Sequence, residues 1–399
     1  MNKAMSMKIV PVILVVFAVF LLLGAGEAER EEPTESKFRE VPLSWILDWE
    51  EKLRQDIMTP SGPEGEPIVS ARQLELSPAE IEAAQAMEFN SYVYMGATLD
   101  TTEILNKVGM DEVLASIGKP PIEFMGSGSI SEQIDQINAL AARAYDVDFV
   151  IAQAYESETT GPVFVELAQA GVPQLHNWST PRGVAKERNY IGLVDADGYG
   201  QAAVAAEILA YMMNYEGEVG LIYFAFEQWT NVVRYKAAQE TFAKYPNIKV
   251  VSEKGFTDPN QGREIALGML QANPEIDAIW ATWMAGPATG AAEAAIELGR
   301  AGAVIVAAPD LGGITGARFI ADPNHPVVGA GAADCIEMGM NSVRAAIKWK
   351  LGKQDEVRGI YTAAKVYPIV RANLVDGFNK QTRGSLGDLP REVLEMLEK

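Results

Sequence analysis

From residue 91 onward the chain alternates short apolar runs with longer stretches of helical period. Strand-like runs at 91–95, 122–125, 149–152 and 172–175 are separated by predicted helices at 101–117, 130–145 and 160–170. In the second of these helices Ile130, Ile134, Ile137 and Ala141 fall on one face. The alternation resumes with strands at 190–193, 219–224, 248–252, 277–281 and 303–307, and with helices at 198–214, 229–245, 259–272 and 286–300. The strand runs are apolar throughout instead of alternating, as in strands buried on both faces. Such strands with helices between them predict parallel sheets in an α/β layering.

The pattern occurs twice. Asp146-Val147-Asp148-Phe149-Val150-Ile151-Ala152 resembles Pro274-Glu275-Ile276-Asp277-Ala278-Ile279-Trp280-Ala281. Leu167-Ala168-Gln169-Ala170-Gly171-Val172-Pro173 likewise resembles Leu298-Gly299-Arg300-Ala301-Gly302-Ala303-Val304. Each is a strand, a helix, a turn glycine and another strand. Two such lobes in tandem leave a cleft between them. Ligands of open parallel sheets sit beyond the carboxyl ends of the strands, so facing ends make a clamp that can close by a hinge.

The first 90 residues differ. Lys3 and Lys8 precede an uncharged apolar run of 15 residues, Ile9 to Leu23, and then Gly24-Ala25-Gly26-Glu27-Ala28. This is the form of an export signal over residues 1–28, the run being shorter than the roughly 20 residues of a membrane span. An uncleaved N-terminal anchor would leave the same body outside the membrane. Gly26 follows Leu23-Gly24-Ala25 where a lipoprotein would carry Cys, so no lipid attachment is expected there. Residues 29–90 read as an extension, largely linker, broken by Pro33, Pro42, Pro60, Pro63 and Pro67. A short helix is expected with Ser44 as cap and Trp45, Leu47, Trp49 and Leu53 among its apolar residues. Ser77-Pro78-Ala79-Glu80 has the form of a capping box that starts a second helix.

Composition narrows the chemistry. A formal charge of −21 argues against nucleic acid or anionic lipid as the main partner. Cys335 is the single cysteine, so no intrachain disulfide forms, and two histidines, His176 and His325, disfavour a zinc site. There is no phosphate-binding Gly-Lys loop and no Gly-x-Ser-x-Gly elbow. Gly126-Ser127-Gly128-Ser129 lacks the third glycine of a dinucleotide loop and is either a plain turn or a polar contact for a ligand. No enzyme activity, metal or cofactor is expected.

Several phrases in order carry a family resemblance: Ala168-Gln169-Ala170-Gly171-Val172-Pro173, Tyr199-Gly200-Gln201-Ala202-Ala203, Gly217-Glu218-Val219-Gly220-Leu221-Ile222, Asn273-Pro274-Glu275-Ile276-Asp277-Ala278-Ile279 and Pro309-Asp310-Leu311-Gly312. Over about residues 90–375 the chain resembles the type I periplasmic solute-binding proteins of the ribose- and galactose-binding kind. The resemblance implies two similar doubly wound parallel-sheet lobes joined by three crossovers, near 195–197, Gly331 and Ala364-Lys365. Lobe 1 would be 91–194 plus 333–363, lobe 2 would be 197–331 plus 366–385, and 386–399 a C-terminal tail or helix. It implies a monomeric periplasmic or otherwise extracytoplasmic receptor that closes on a small solute and delivers it to an ABC permease complex. A sensor subunit for a chemoreceptor or histidine kinase is the alternative.

The strand ends supply the candidate site. Thr98, Leu99 and Asp100 follow the first strand, and His176, Asn177 and Trp178 the fourth. Trp229, Arg234, Trp283 and Asp310 follow strands of the second lobe. Planar polar groups that bond paired hydroxyls, with aromatic faces for the C–H side of a ring, suit a sugar. By the resemblance, Arg234 and Asp310 match ligand-contacting positions, and Asn177 and Trp283 fall in ligand-contacting loops. The chain departs from that pattern at three places: His176 stands where Asp is common, Trp283 or Met284 replaces a polar residue, and Gly331-Ala332-Ala333 replaces Gln or Asn. A monosaccharide is the leading expectation, and an amine, a nucleobase or a signalling furanose the alternative. Each residue also has a plain structural reading: Asp100 and Asp310 as helix caps, Arg234 paired with Glu227 or Glu240, His176 as a core residue, and the tryptophans as packing.

Overall fold

The computed structural model describes residues 37–96 and 100–398. The expected export signal, Thr98 and Leu99 lie outside the described residues. The extension carries α1 (Leu43–Gln55) and α2 (Pro78–Ala86). The chain continues through β1 (Ser91–Gly96), α3 (Thr101–Ser116), β2 (Glu123–Gly126), α4 (Ile130–Ala142), β3 (Val147–Ala152), α5 (Ser157–Gln169), β4 (Gln174–Asn177) and β5 (Tyr190–Ala196). A second series follows: α6 (Gly198–Met212), β6 (Gly217–Phe224), α7 (Trp229–Phe242), β7 (Ile248–Phe256), α8 (Gly262–Ala272), β8 (Ile276–Ala281), α9 (Thr289–Glu297), β9 (Ile305–Ala308), α10 (Gly313–Ala321) and β10 (Val327–Ala333). Then come α11 (Cys335–Lys350), α12 (Gln354–Val357), β11 (Ile360–Ala364), β12 (Val366–Val370), α13 (Leu374–Thr382) and α14 (Arg391–Leu397).

The strands form two six-stranded sheets, ordered β11-β5-β4-β3-β1-β2 and β12-β10-β9-β8-β6-β7. These are the two α/β lobes. The first sheet is parallel throughout. The second ends in β12, antiparallel to β10, where a wholly parallel sheet was expected. The reason is connectivity: only Lys365 separates β11 from β12. The chain therefore enters β12 from the cleft side and runs back beside β10. Two expected boundaries also move. β4 runs to Asn177, two residues beyond the apolar run, and α9 starts at Thr289 because Gly286 (φ 97°) and Pro287 break the preceding turn.

The chain passes between sheets at Asp197, Asp334 and Lys365. The crossovers are tied together: Asp197 N–H donates to Ala364 O (3.1 Å) and Asp334 N–H to Lys365 O (2.8 Å). The second lies three residues beyond Gly331, which stays inside β10. A Cβ at Gly331 would meet Gln201 O at 2.1 Å, so the glycine permits α6 to lie directly on the strand.

The extension is not a linker. Ile46, Trp49 and Leu53 of α1 are buried against Val204 and Ile208 of α6 and Val366 and Val370 of β12. Ser44 lies within α1 instead of capping it; Pro42 holds the cap position, without a side-chain bond. Both carboxylate oxygens of buried Asp197 are taken, accepting from Met58 N (2.8 Å), Thr59 N (2.9 Å), Thr59 Oγ1 (2.8 Å) and Gly200 N (2.9 Å). Val69 N then donates to Tyr361 O (2.9 Å) on the edge strand β11, and Leu74 joins the core of the first lobe. The capping box at Ser77 and Glu80 forms as expected. Glu80 also accepts from Lys348 of α11 (2.8 Å), both side chains being buried.

Asp195, at the end of β5, is fully buried, and burial pushes its carboxyl up to about 7, against the Thr230 hydroxyl and the Ala196 N–H that favour its anion. The Thr230 hydroxyl of α7 lies 2.8 Å from Asp195 Oδ2 and bonds the Trp178 carbonyl. The one hydroxyl of Thr230 thus sits between the Asp195 carboxyl and the Trp178 carbonyl and ties α7 to the end of β5.

Two outcomes follow from these contacts. Lys348→Met should destabilise the protein by about 1–2 kcal/mol, less than the about 3–5 kcal/mol of a wholly broken buried pair because Lys353 still reaches Glu80 (2.8 Å), measured by urea unfolding. A loosely tethered extension would leave the midpoint unchanged. Asp195 binds a proton more tightly folded than unfolded, so its contribution is full below about pH 4 and is lost as pH rises through 7. In Asp195→Asn the decline of melting temperature across that window should be shallower than in the parent.

Candidate functional site

Residues at the carboxyl ends of both sheets and the helix starts that follow them enclose a cavity of about 550 Å³. Parallel strands bring this about. Each β-strand ends at the cleft, and the loop after it presents side chains there.

Arg234, in the second turn of α7, is the one cation among the described residues lining the cavity and is 7% exposed. Its Nη2 donates to Gln201 Oε1 at 2.8 Å, and its guanidinium lies 5.6 Å from the Trp178 ring centre. Burial works against the charge, while the carboxylates of Asp310 and Asp195 sustain it. Its Nε has no hydrogen-bond partner among the described residues. Asp310, in the loop after β9, accepts from Met284 N (3.0 Å); burial raises its carboxyl, opposed by that N–H and by Arg234. Asp310 does not cap α10, whose N-cap Gly312 has no side-chain bond; it ties the loop after β9 to the loop after β8 and lines the cavity.

In Asp100 the capping and the ligand-facing readings do meet. It lines the cavity and caps α3, accepting from Thr102 N (2.8 Å) and Glu103 N (3.2 Å). Trp283 lines the cavity with its indole N–H turned to Ala285 O (2.8 Å) and its ring packed edge-on against Phe224 (5.2 Å) and Phe256 (4.9 Å). Trp178 lines it in a left-handed conformation, φ 65°, rare outside glycine. The Thr230 bond to its carbonyl helps hold that conformation.

Three candidates are not among the lining residues. His176 was expected beyond the fourth strand, but β4 runs two residues further and keeps it inside the sheet. It is fully buried, edge-on to Phe164 (5.1 Å) and stacked near Tyr190 (6.2 Å), and burial lowers its imidazole to about 3. Asn177 is a structural pin. Its amide donates to Val194 O (2.8 Å) and Ser342 Oγ (3.0 Å), and its oxygen accepts from Asn106 (3.1 Å). Trp229 starts α7, its N–H donating to Ser179 Oγ (3.3 Å), with its indole beside Tyr361.

The structure adds residues that the strand-end reading did not select: Gln201, Asn231, Phe224 and Glu103. Gln201 belongs to the Tyr199-Gly200-Gln201 phrase but there marks only the fold. Its Nε2 donates to the Pro309 and Gly331 carbonyls, so it carries an amide to the level of the second crossover, where the Gly331-Ala332-Ala333 run has none.

Comparison with known proteins bears on this geometry. No curated protein matches the chain. An ABC transporter solute-binding protein from Agrobacterium vitis, bound with α-D-tagatopyranose, superimposes with a TM-score of 0.64 at 19% identity, covering 72% of this chain and 97% of that one. One from Bacillus halodurans with bound myo-inositol gives 0.62 at 18% identity, covering 74% and 99%. An arabinose-binding protein from Geobacillus stearothermophilus gives 0.62 at 19%, covering 73% and 99%. At these identities the likeness is one of fold. A sequence-family model matches residues 106–348, more than half of the chain, and the protein therefore belongs to the periplasmic binding protein domain family.

Proposed function

We propose that this chain is the extracytoplasmic receptor of an ABC importer, capturing a small polyhydroxylated solute by lobe closure and presenting it to a membrane permease. The observation that carries this reading is a buried, incompletely bonded guanidinium in a cavity walled by both lobes. Arg234 Nε faces no protein acceptor among the described residues, although an unpaired buried donor costs about 1–3 kcal/mol. A ligand oxygen would satisfy it. Gln201 and Asn231 beside it supply further amides, and Trp283 and Phe224 offer apolar surface to the C–H side of a ring. The three structural relatives named above hold or are named for a sugar or a cyclitol. Both lobes touch such a ligand, so binding energy is released only when they come together. A permease that contacts both lobes would then distinguish the loaded form.

The test is a thermal-shift screen of monosaccharides and cyclitols, followed by small-angle scattering with each stabiliser. A compound at a hundredfold excess over its Kd should add about 2.7 kcal/mol to stability and should compact the protein. An unchanged scattering profile at saturation would remove the closure mechanism. In calorimetric titration Arg234→Lys should weaken binding nearly as much as Arg234→Ala, because an ammonium cannot reproduce the fork of guanidinium donors. Asp310→Asn should cost about 1.5–3 kcal/mol through loss of charge-assisted acceptance. Parent-like binding by both variants would sink the assignment.

A further inference from the structure

The charge of the cavity is lopsided. Four carboxyl groups, those of Asp100, Glu103, Glu156 and Asp310, line it against Arg234, the one cation among the described lining residues. Three of the four have protein partners. Glu156 caps α5, accepting from Glu158 N (2.7 Å) and Thr159 N (2.6 Å). Asp310 is bonded to Met284 N and faces Arg234, and Asp100 caps α3.

Glu103 differs. It is 4% exposed, yet its Oε2 has no hydrogen-bond partner among the described residues. Gly96 at the end of β1 makes room for its stem: a Cβ there would lie 3.0 Å from Glu103 Cγ. Its carboxyl meets that of Asp100, and burial first, then this neighbour, holds it well above the usual carboxylate range. The other titratable groups that interact with it, the Tyr94 hydroxyl and the Cys335 thiol, are both buried and bring no positive charge. Two acids in contact line the cavity, one of them with an orphan oxygen, and neither has an ion-pair partner among the described residues. A ligand hydroxyl would satisfy the orphan oxygen with one bond but leave the pair uncompensated. An ammonium has three donors and a full charge, enough for both carboxyls.

We propose that Asp100 and Glu103 form a cation-receiving subsite, and that the ligand is a polyhydroxylated molecule bearing a protonated amino group, of the amino-sugar or aminocyclitol class. This rests on the receptor reading and specifies its ligand. The hydroxyls lie toward Arg234, Gln201 and Asn231, the C–H face against Trp283 and Phe224, and the ammonium at the start of α3.

The experiment compares D-glucosamine and D-galactosamine with D-glucose, D-galactose and the N-acetylated amino sugars, by calorimetric titration at about pH 6, where the free amines are charged. In at least one series the amine should bind tenfold or more tighter than its neutral and acetylated counterparts, a margin of about 1.4 kcal/mol. Glu103→Gln should abolish that margin, so that on the same variant the amine binds no tighter than its neutral and acetylated counterparts, since an amide cannot give up a proton to become an ammonium's counter-charge. Asp100→Asn, which retains the helix cap, should reduce the margin in the same direction. If Glu103→Gln does not fold, the parent's margin decides. Neutral sugars that bind as well as the amines, or a margin that survives Glu103→Gln, would overturn the subsite and leave the receptor reading standing. Failure of both the neutral and the aminated compounds to bind would take down both.

Discussion

A guanidinium remains charged at any pH a folded protein meets, so burying Arg234 obliges its surroundings to be built around it. The nearest support is Gln201 Oε1 at 2.8 Å. Gln201 can point that way because its own amide is anchored to the Pro309 and Gly331 carbonyls. That anchor requires α6 to lie on β10 at backbone contact, which only a glycine at 331 permits. Asp310 and Asp195 complete the field around the charge from two directions, and Trp178 lies against it. A helix packing distance, a glycine in a strand and the polarity of a cavity are thus one linked constraint. Among the three guanidinium nitrogens it leaves Nε without a partner among the described residues.

The proposed closure would have to hinge in the same region. Three crossovers run side by side and bond to each other, so a change in the angle between the lobes must be absorbed within a few residues around Asp197, Asp334 and Lys365. The extension adds a fourth connection. α1 is fixed on α6 and β12, residues 68–74 are fixed on β11 and the core of the first lobe, and between them Met58 and Thr59 are held by Asp197. Any closure must therefore bend the extension at the point where it is bonded to the first crossover. Lobe motion and the packing of the extension are mechanically coupled.

The alternation of buried strands and helices was plain in the sequence, because strands covered on both faces are apolar without interruption. What apolar runs do not mark is where a strand stops. β4 continues through His176 and Asn177, polar residues buried inside the sheet, and this moved the expected site by two residues and left only Trp178 at the cavity. The extension was misread for a related reason. Its density of proline and glutamate matches a linker, while its partners, Asp197, Tyr361 and Lys348, lie 138 residues or more away in the chain. Arg234, Asp310 and Trp283 were accessible because each follows a strand end at the cleft. Glu103 was not. An acid in the first turn of a helix after a capping Asp is ordinary at a helix start, and only the fold shows that it is buried with an oxygen unpaired.

The twin lobes share a topology and present opposite chemistry. The first brings Asp100, Glu103 and Glu156 to the cavity with no cation among its described residues there; the second brings Arg234 with Asp310 beside it, Asn231 and the aromatic wall of Phe224 and Trp283. A clamp with two like faces would close on a ligand in either orientation. With the carboxyl-rich face opposite the guanidinium, a polar ligand has one orientation in which its donors and acceptors both find partners. Each half-site alone is a poor binder, because its charge is still better solvated by open water than by half a shell. The combined site becomes favourable only when the second lobe arrives and the water leaves. On the proposed closure, the doubled fold would supply the clamp and the difference between the two strand-end sets its selectivity.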